Sequence, residues 1–350
     1  MFDLSVVGIA NATSAGWGNL GGGVAQLLNS SIFRACKANG MTTDTAWRTS
    51  VGWSPAVIFL LGVSVFLLSD DCPYGNFKEL KKKQNSADAK ESELEALKAG
   101  GEPGSVAAAS LIDAGCDWKV WVLHVCYAFS FGVELIVNGN IVSYFTTNWA
   151  MSQSDAGLFG SVFGLLNICM RTLGGHWSDL FNNWLGFPGR MWALWIQSLF
   201  MGIALISFSS LTPDVTAFGG MTINLIFWGA LTNMTEGGTF AVVPYVMPHA
   251  VGGVAGIVGA GGNVGALLGG IMISTLGGKN KRLNKASRML AFCGLGWGAV
   301  ASAMLIPALW IPGLGSMLRK QDPPPAEMPA KSEQPAMQPG PQPSFVPAQP

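Results

Sequence analysis

The amino-acid sequence predicts an all-α membrane protein, and three observations support this fold class. Only 11% of the 350 residues are charged, whereas a soluble globular domain carries about 25%. Hydrophobic residues make up 49% of the chain, and its mean hydropathy is +0.38. Uncharged apolar stretches recur at lengths of about 20 residues, which is what an α-helix needs to cross a bilayer.

Eight segments have the length and composition of membrane helices. They are residues 5–28, 51–69, 119–143, 155–174, 190–210, 219–243, 252–275 and 290–314. Pro244 and Pro248 separate the sixth segment from the seventh, because proline cannot donate a helical hydrogen bond. No basic region precedes the first apolar segment, so we do not interpret it as a signal peptide.

Two hydrophilic segments lie outside these spans. Residues 70–117 combine the run Lys81-Lys82-Lys83 with a stretch rich in serine, alanine and glutamate. Such a composition cannot bury a core, so we expect a partly helical, mobile loop. The tail holds ten prolines between residues 322 and 350, and we expect it to be disordered.

The composition also excludes several classes of function. A formal net charge of zero argues against a polybasic surface for nucleic acid. Six cysteines and three histidines are scattered without the spacing of zinc ligands or of a disulfide framework. The chain has neither a phosphate-binding loop nor a hydrolase motif. We therefore expect no enzyme activity, no cofactor and no metal.

Two stretches repeat a similar glycine–asparagine phrase, which we call the first glycine phrase (residues 15–23) and the second glycine phrase (residues 259–265). Glycines remove side-chain bulk, so two membrane helices can approach closely. Asn19 and Asn263 place a polar group on these smooth helices, where it needs a partner or a ligand. The glycines to which we assign this role are Gly16, Gly18, Gly21, Gly22, Gly261, Gly262 and Gly265. Tight packing alone is the simpler explanation.

Arg171 is one of three charged residues well within the spans. Helical spacing puts it on one face with Gly160, Gly164 and Asn167, which leave space in front of the guanidinium. Arginine presents a planar fork of donors that suits a small planar oxyanion. A structural ion pair with a glutamate, or extension of the side chain to the membrane surface, would also explain a buried arginine.

Glu134 and Glu236 are the other two charged residues within the spans. Glu134 shares a helical face with Tyr127 and Phe131, whose hydroxyl and flat ring would suit a poorly hydrated anion. An aromatic stripe at this spacing is also typical of ordinary packing. Either buried carboxyl could carry a proton, and either could instead form a structural ion pair or hydrogen bond.

These features together resemble the nitrate/nitrite porter family of the major facilitator superfamily, in particular its eukaryotic high-affinity nitrate transporter branch. The glycine phrases look like the two nitrate signatures of the family, the second extending to Gly270. Residues 71–77 resemble the start of the family's central cytoplasmic loop. Tyr127 and residues 131–135 resemble its seventh helix. Residues 171–175, followed by Ser178-Asp179, resemble the end of its eighth helix.

The resemblance implies a major facilitator fold in which eight of twelve transmembrane helices are present. The first four helices would be absent, and a partial sequence is the expected reason. The implied domains are residues 1–69 as the last two helices of the N-terminal half, residues 70–117 as the cytoplasmic loop, residues 118–318 as the C-terminal six-helix half, and residues 319–350 as a disordered proline-rich cytoplasmic tail.

The resemblance also implies roles for single residues. Arg171 would be one of two arginines that clasp nitrate, and Tyr127 and Asn19 would donate hydrogen bonds to it. Phe131 would pack against the plane of the anion, and Asn263 would be a further binding residue. The glycines of both phrases would let the signature helices slide.

The implied function is secondary active transport of nitrate, or also nitrite, across the plasma membrane by proton symport and alternating access. Glu134 and Glu236 are the candidates for proton coupling. The expected partners are the anion, protons, the lipid bilayer and an optional accessory membrane subunit, with no nucleic acid. Two alternatives stay open at this point: a nitrate-binding receptor that does not transport, and an inert truncated product.

Overall fold

The computed structural model describes residues 7–69, 105–276 and 285–319, and these residues are almost entirely helical. In chain order the helices are α1 (Val7–Ala38), α2 (Thr43–Leu68), α3 (Ser105–Cys116), α4 (Trp118–Asn148), α5 (Gln153–Leu165), α6 (Met170–Leu185), α7 (Phe187–Ser210), α8 (Phe218–Val246), α9 (Val251–Leu276) and α10 (Lys285–Ala303). Of the expected cytoplasmic loop, only the part from residue 105 onward is described, and the expected disordered tail lies outside the described residues beyond 319.

Local signals set the ends of these helices. Gly40, at φ +79°, ends α1 in a backbone conformation that glycine adopts without strain. The hydroxyl of Thr42 then accepts the backbone N–H of Thr45 at 3.3 Å and caps α2. Asp117 caps α4 in the same way through the N–H of Lys119 at 2.9 Å.

A short 3-10 turn (Leu166–Ile168) separates α5 from α6. The sequence predicted one continuous helix over 155–174, so the pattern missed this interruption. Asn167 lies within the interruption and Arg171 follows shortly after it, at the level where the buried polar residues lie. A turn of this kind within a helix is a recurring feature of functional sites.

The last predicted span is wrong beyond residue 303. The helix α10 ends at Ala303, and the chain continues into a 3-10 turn (Ile306–Ala308) and a hairpin of two short antiparallel strands, β1 (Trp310–Ile311) and β2 (Gly315–Ser316). Pro307 and Pro312 cannot donate helical hydrogen bonds, and Gly313 has a positive φ of 76°. Trp192 anchors this segment by donating its indole N–H to the carbonyl of Met317 at 3.0 Å.

Six helical stretches in the described part are long and apolar enough to cross a membrane: Thr43–Leu68, Trp118–Asn148, Gln153–Leu185, Phe187–Ser210, Val251–Leu276 and Met289–Ala308. The other two expected spans also form helices, α1 of 32 residues and α8 of 29. Their polar and small residues keep them outside that set of six. The chain is therefore an all-α, multi-pass membrane protein.

The helices that carry the buried polar residues make close backbone contacts with one another. The helix α1 lies against α5, α6 and α8, and α4 lies along α9. Where α1 crosses α5, a Cβ on Gly23 would lie 2.5 Å from the carbonyl carbon of Gly164. Such contacts place the polar residues of four helices next to one another. In contrast, α2 buries only Ala46 and Ser50 and leaves its apolar surface open.

Candidate functional site

Arg171 occupies the first turn of α6, directly after the 3-10 turn, and only 2% of it is exposed. Two close backbone contacts hold this segment in place. A Cβ on Gly16 of α1 would lie 2.7 Å from the carbonyl oxygen of Asn167, and one on Gly237 of α8 would lie 2.1 Å from the carbonyl oxygen of Arg171. The absence of side chains at these glycines lets α1 and α8 approach the arginine from two sides.

The guanidinium of Arg171 contacts three side chains. Its Nη1 forms an ion pair with Oε2 of Glu236, and its Nη2 donates to the hydroxyl oxygen of Tyr127 at 2.6 Å. The ring of Phe131 lies with its centroid 5.7 Å from Cζ, within the range of a cation–π interaction. The structure therefore forms the ion pair that the sequence left open as an alternative for Arg171.

An aromatic wall stands beside the guanidinium. Tyr127 and Phe131 stack with centroids 5.3 Å apart, and Phe240 meets Tyr127 edge-on at 5.1 Å. A Cβ on Gly262 of α9 would lie 2.2 Å from Cδ1 of Phe131. The second glycine phrase thus makes room for the Phe131 ring, while the rings exclude water from one side of the arginine.

Glu134 lies one level further along α4 and is bound by amides rather than by the arginine. Its Oε1 accepts the Nδ2 hydrogens of Asn167 at 2.8 Å and of Asn138 at 3.5 Å. Its Oε2 has no hydrogen-bond partner among the described residues, and neither has Oε1 of Glu236. The two carboxyl groups also interact electrostatically with each other. The site thus combines one cation, two acids and a cluster of amides away from solvent.

The first glycine phrase faces this site only in part. Gly16 and Gly23 are buried, and Asn19, between them in the sequence, is partly exposed, with an Nδ2 that has no partner in the described part of the chain. Gly22 would bring a Cβ to 4.0 Å from Asn138, whereas Gly18 and Gly21 meet no described atom within 4 Å. Close packing of α1 therefore depends on Gly16 and Gly23 rather than on Gly18 and Gly21.

The structure does not bring Asn263 to Arg171. Its neighbours Gly261 and Gly265 approach α4 so closely that a Cβ would lie 2.4 Å from the carbonyl oxygen of His124 and 2.3 Å from that of Ala128. Asn263 itself is exposed. Its role in binding therefore remains a prediction that no contact in the described residues supports.

Sequence reasoning missed a second buried arginine. Arg190 is 0% exposed, forms an ion pair with Asp179 and lies over the ring of Tyr245 at 5.2 Å. The other oxygen of Asp179 accepts the backbone N–H of Ile9 at 2.9 Å, and so ties the start of α1 to α6 and α7. Arg190 stands at the first position of a predicted span, so the sequence pattern did not distinguish it from an ordinary charge that flanks a membrane helix.

Comparison with known proteins identifies relatives along most of the chain, although no protein-family profile matches it. The chain is similar to Nitrate transporter 2.2 of Chlamydomonas reinhardtii, 34% identical over 318 residues, which are 91% of this chain and 58% of that protein. High affinity nitrate transporter 2.7 of Arabidopsis thaliana is 33% identical over 268 residues, 77% of this chain and 53% of that protein.

A bacterial relative covers a shorter region. Nitrate/nitrite transporter NrtP of Picosynechococcus sp. is 30% identical over 151 residues, 43% of this chain and 27% of that protein. The chain spans somewhat more than half the length of the algal and plant relatives given above. These proteins are named as transporters rather than as enzymes. The chain is therefore similar, over most of its length, to nitrate transporters that belong to the nitrate/nitrite porter family of the major facilitator superfamily.

Proposed function

We propose that the chain acts in secondary active transport of nitrate across the plasma membrane. The observation that supports this most is the buried guanidinium of Arg171, with a tyrosine hydroxyl and a phenylalanine ring beside it. A planar fork of donors matches the planar oxygens of nitrate. The relatives named as nitrate transporters supply the substrate class.

Nitrate would take up the donors that now face Glu236. Arg171 would offer its fork, and Tyr127 would offer its O–H proton, because its oxygen already accepts from Arg171. Phe131 would lie against the plane of the anion, and Asn19 would approach from α1, where its unpartnered Nδ2 is a free donor among the described residues. Asn263 would join only after a movement of α9, since it is now exposed. Nitrite offers the same kind of oxygen and is a second candidate substrate.

We infer that the helices belong to a major facilitator fold and move by alternating access. In that arrangement α1, α2 and α4 to α10 would provide eight membrane spans, with α5 and α6 as one. Residues 1–69 would end the N-terminal half, residues 118–318 would form the C-terminal half, and the loop and tail would be cytoplasmic. The glycine phrases would allow α1 and α9 to slide, because backbone contacts present no side chains to interlock.

Transport would be coupled to protons through Glu134 or Glu236, the two acids beside the arginine. Both side chains are at most 1% exposed, so a proton carried by either acid would be held away from water. An accessory membrane subunit has an obvious place to bind on α2, whose apolar surface is open in the described chain.

The test is uptake of isotope-labelled nitrate into proteoliposomes that contain the purified chain. Arg171→Lys keeps the charge but loses the fork, so uptake should fall at least about tenfold, as expected for loss of a charge-assisted hydrogen bond. Arg48→Lys, the same exchange at an exposed arginine of α2, should leave uptake unchanged. Equal uptake by the parent and the Arg171→Lys variant would refute the assignment of the site.

A further inference from the structure

One of the donors that Arg171 would offer to an incoming anion is already bound by an acid of the chain itself. Oε2 of Glu236 is bound to Nη1 of Arg171, and both side chains are at most 2% exposed. A guanidinium cannot present the same N–H group fully to a carboxylate and to a second oxyanion. An anion that binds through Nη1 and Nη2 of Arg171 therefore competes directly with Glu236, whereas Nε has no partner among the described residues.

The charges around Glu236 can be counted from every helix packed against α8. The helix α6 contributes Arg171, and α4 contributes Glu134 and the neutral Tyr127. The described parts of α1 and α9 carry no charged residue at this level, Asp155 of α5 is paired with Arg34, and Arg190 of α7 is paired with Asp179. One guanidinium and two carboxyl groups are neutral together only if one carboxyl holds a proton. A net charge buried away from water is strongly unfavourable.

The two acids differ in what holds them. Glu236 is the acid that is bound by the cation. Glu134 accepts amide hydrogens from Asn167 and Asn138 on a single oxygen. Glu134 is therefore not the acid whose bond to Arg171 an anion would replace.

We propose, on the basis of the nitrate-transport function above, that Glu236 is the resident counter-ion that nitrate displaces from Arg171, and that Glu236 takes up the proton that accompanies each anion. When nitrate enters, the ion pair between Glu236 and Arg171 breaks and hydrogen bonds from Arg171 to nitrate form. The freed carboxylate binds one proton from the side that is open to water. On release, nitrate leaves, Glu236 loses this proton to the other side and pairs with Arg171 again.

The entry of each anion is coupled to one proton on Glu236, so the net charge of the site is the same before and after nitrate binds. Glu134 accepts from Asn167 beside the helix interruption and takes no part in the exchange. The alternative is that Glu236 and Arg171 form a permanent structural pair. In that case nitrate would bind elsewhere or not at all, and no proton would follow it.

The experiment is nitrate-linked proton uptake by the purified full chain in detergent, followed with a pH indicator in weak buffer, while bound nitrate is measured by calorimetry. The parent should take up about one proton per bound nitrate, by charge balance. Glu236→Gln should bind nitrate with little proton uptake and with about tenfold higher affinity, because the competing charge-assisted hydrogen bond is lost. Glu134→Gln, the competing assignment, should keep about one proton per nitrate.

The other possible results of this experiment each contradict either this inference or the proposed function. Proton uptake that persists in Glu236→Gln, or that disappears in Glu134→Gln, overturns the proposal. A parent that binds nitrate without protons refutes this inference alone, whereas a parent that binds no nitrate refutes the proposed function as well. If Glu236→Gln does not fold, Glu236→Asp retains a carboxyl on a shorter arm, and should keep proton uptake with tighter nitrate binding. Unchanged affinity in Glu236→Asp would then contradict displacement.

Discussion

The crossing of α4 and α9 is so close that one added methyl group should disturb it. In Gly265→Ala the new Cβ would lie 2.3 Å from the carbonyl oxygen of Ala128, while ordinary contact begins at 3.4 Å. The obstacle is backbone, so no side-chain rotation relieves it, and the helices must separate by about 1 Å. Overpacking of this kind costs about 1–3 kcal/mol. The close approach of Gly132 to Gly265 at the same crossing adds to the strain.

Thermal unfolding of the purified variant in detergent measures this cost, and we expect the midpoint to fall by several degrees. Gly256→Ala is the matched control, because it lies on the same helix and a Cβ there meets no described atom within 4 Å. Alanine favours a helix over glycine by about 0.5–1 kcal/mol, so the control should be unchanged or slightly more stable. If Gly265→Ala were as stable as Gly256→Ala, the glycine crossing would not have the importance that we give it.

Three further predictions concern the site and its supports. Tyr127→Phe should weaken nitrate binding about three- to tenfold by calorimetry, since one hydrogen bond of about 0.5–1.5 kcal/mol is lost; unchanged affinity would remove the hydroxyl from the site. Asp179→Asn should lower the unfolding free energy by about 3–5 kcal/mol, because Arg190 stays buried without its carboxylate; a shift below 1 kcal/mol would show that the pair is unimportant. Gly23→Ala should reduce thermal stability and Gly21→Ala should not, and equal effects would contradict the packing of α1.

The main elements of the candidate site could be predicted because helical periodicity places residues on one face. Tyr127 and Phe131, four residues apart, stack on each other and contact Arg171. The pairing of Arg171 with Glu236 was open from the sequence, since spacing within one helix does not reveal which other helix faces it. Only the packing of α8 against α6 decides that contact.

Other features of the structure could not be predicted from the pattern of apolar and polar residues, for physical reasons that the structure shows. The turn at Leu166–Ile168 interrupts an apolar segment that contains no proline, and it lies where α1 comes so close that a Cβ on Gly16 would be 2.7 Å from the carbonyl oxygen of Asn167. Asn263 stands in a sequence context similar to that of Asn19. The neighbouring glycines of α9, however, pack against α4, and Asn263 itself is exposed. The early end of α10 could have been predicted from the sequence, because two prolines follow Ala303 within ten residues.

The measurement that tests the central claim most directly is the equilibrium binding of nitrate to the purified chain. Calorimetry on the parent should show nitrate binding, and Arg171→Lys should weaken it at least about tenfold, as loss of the bidentate fork requires. Arg190→Lys replaces the other buried arginine and should retain the parent affinity. Equal affinity in the parent and in Arg171→Lys would contradict the account, because the guanidinium of Arg171 would then not be the anion site.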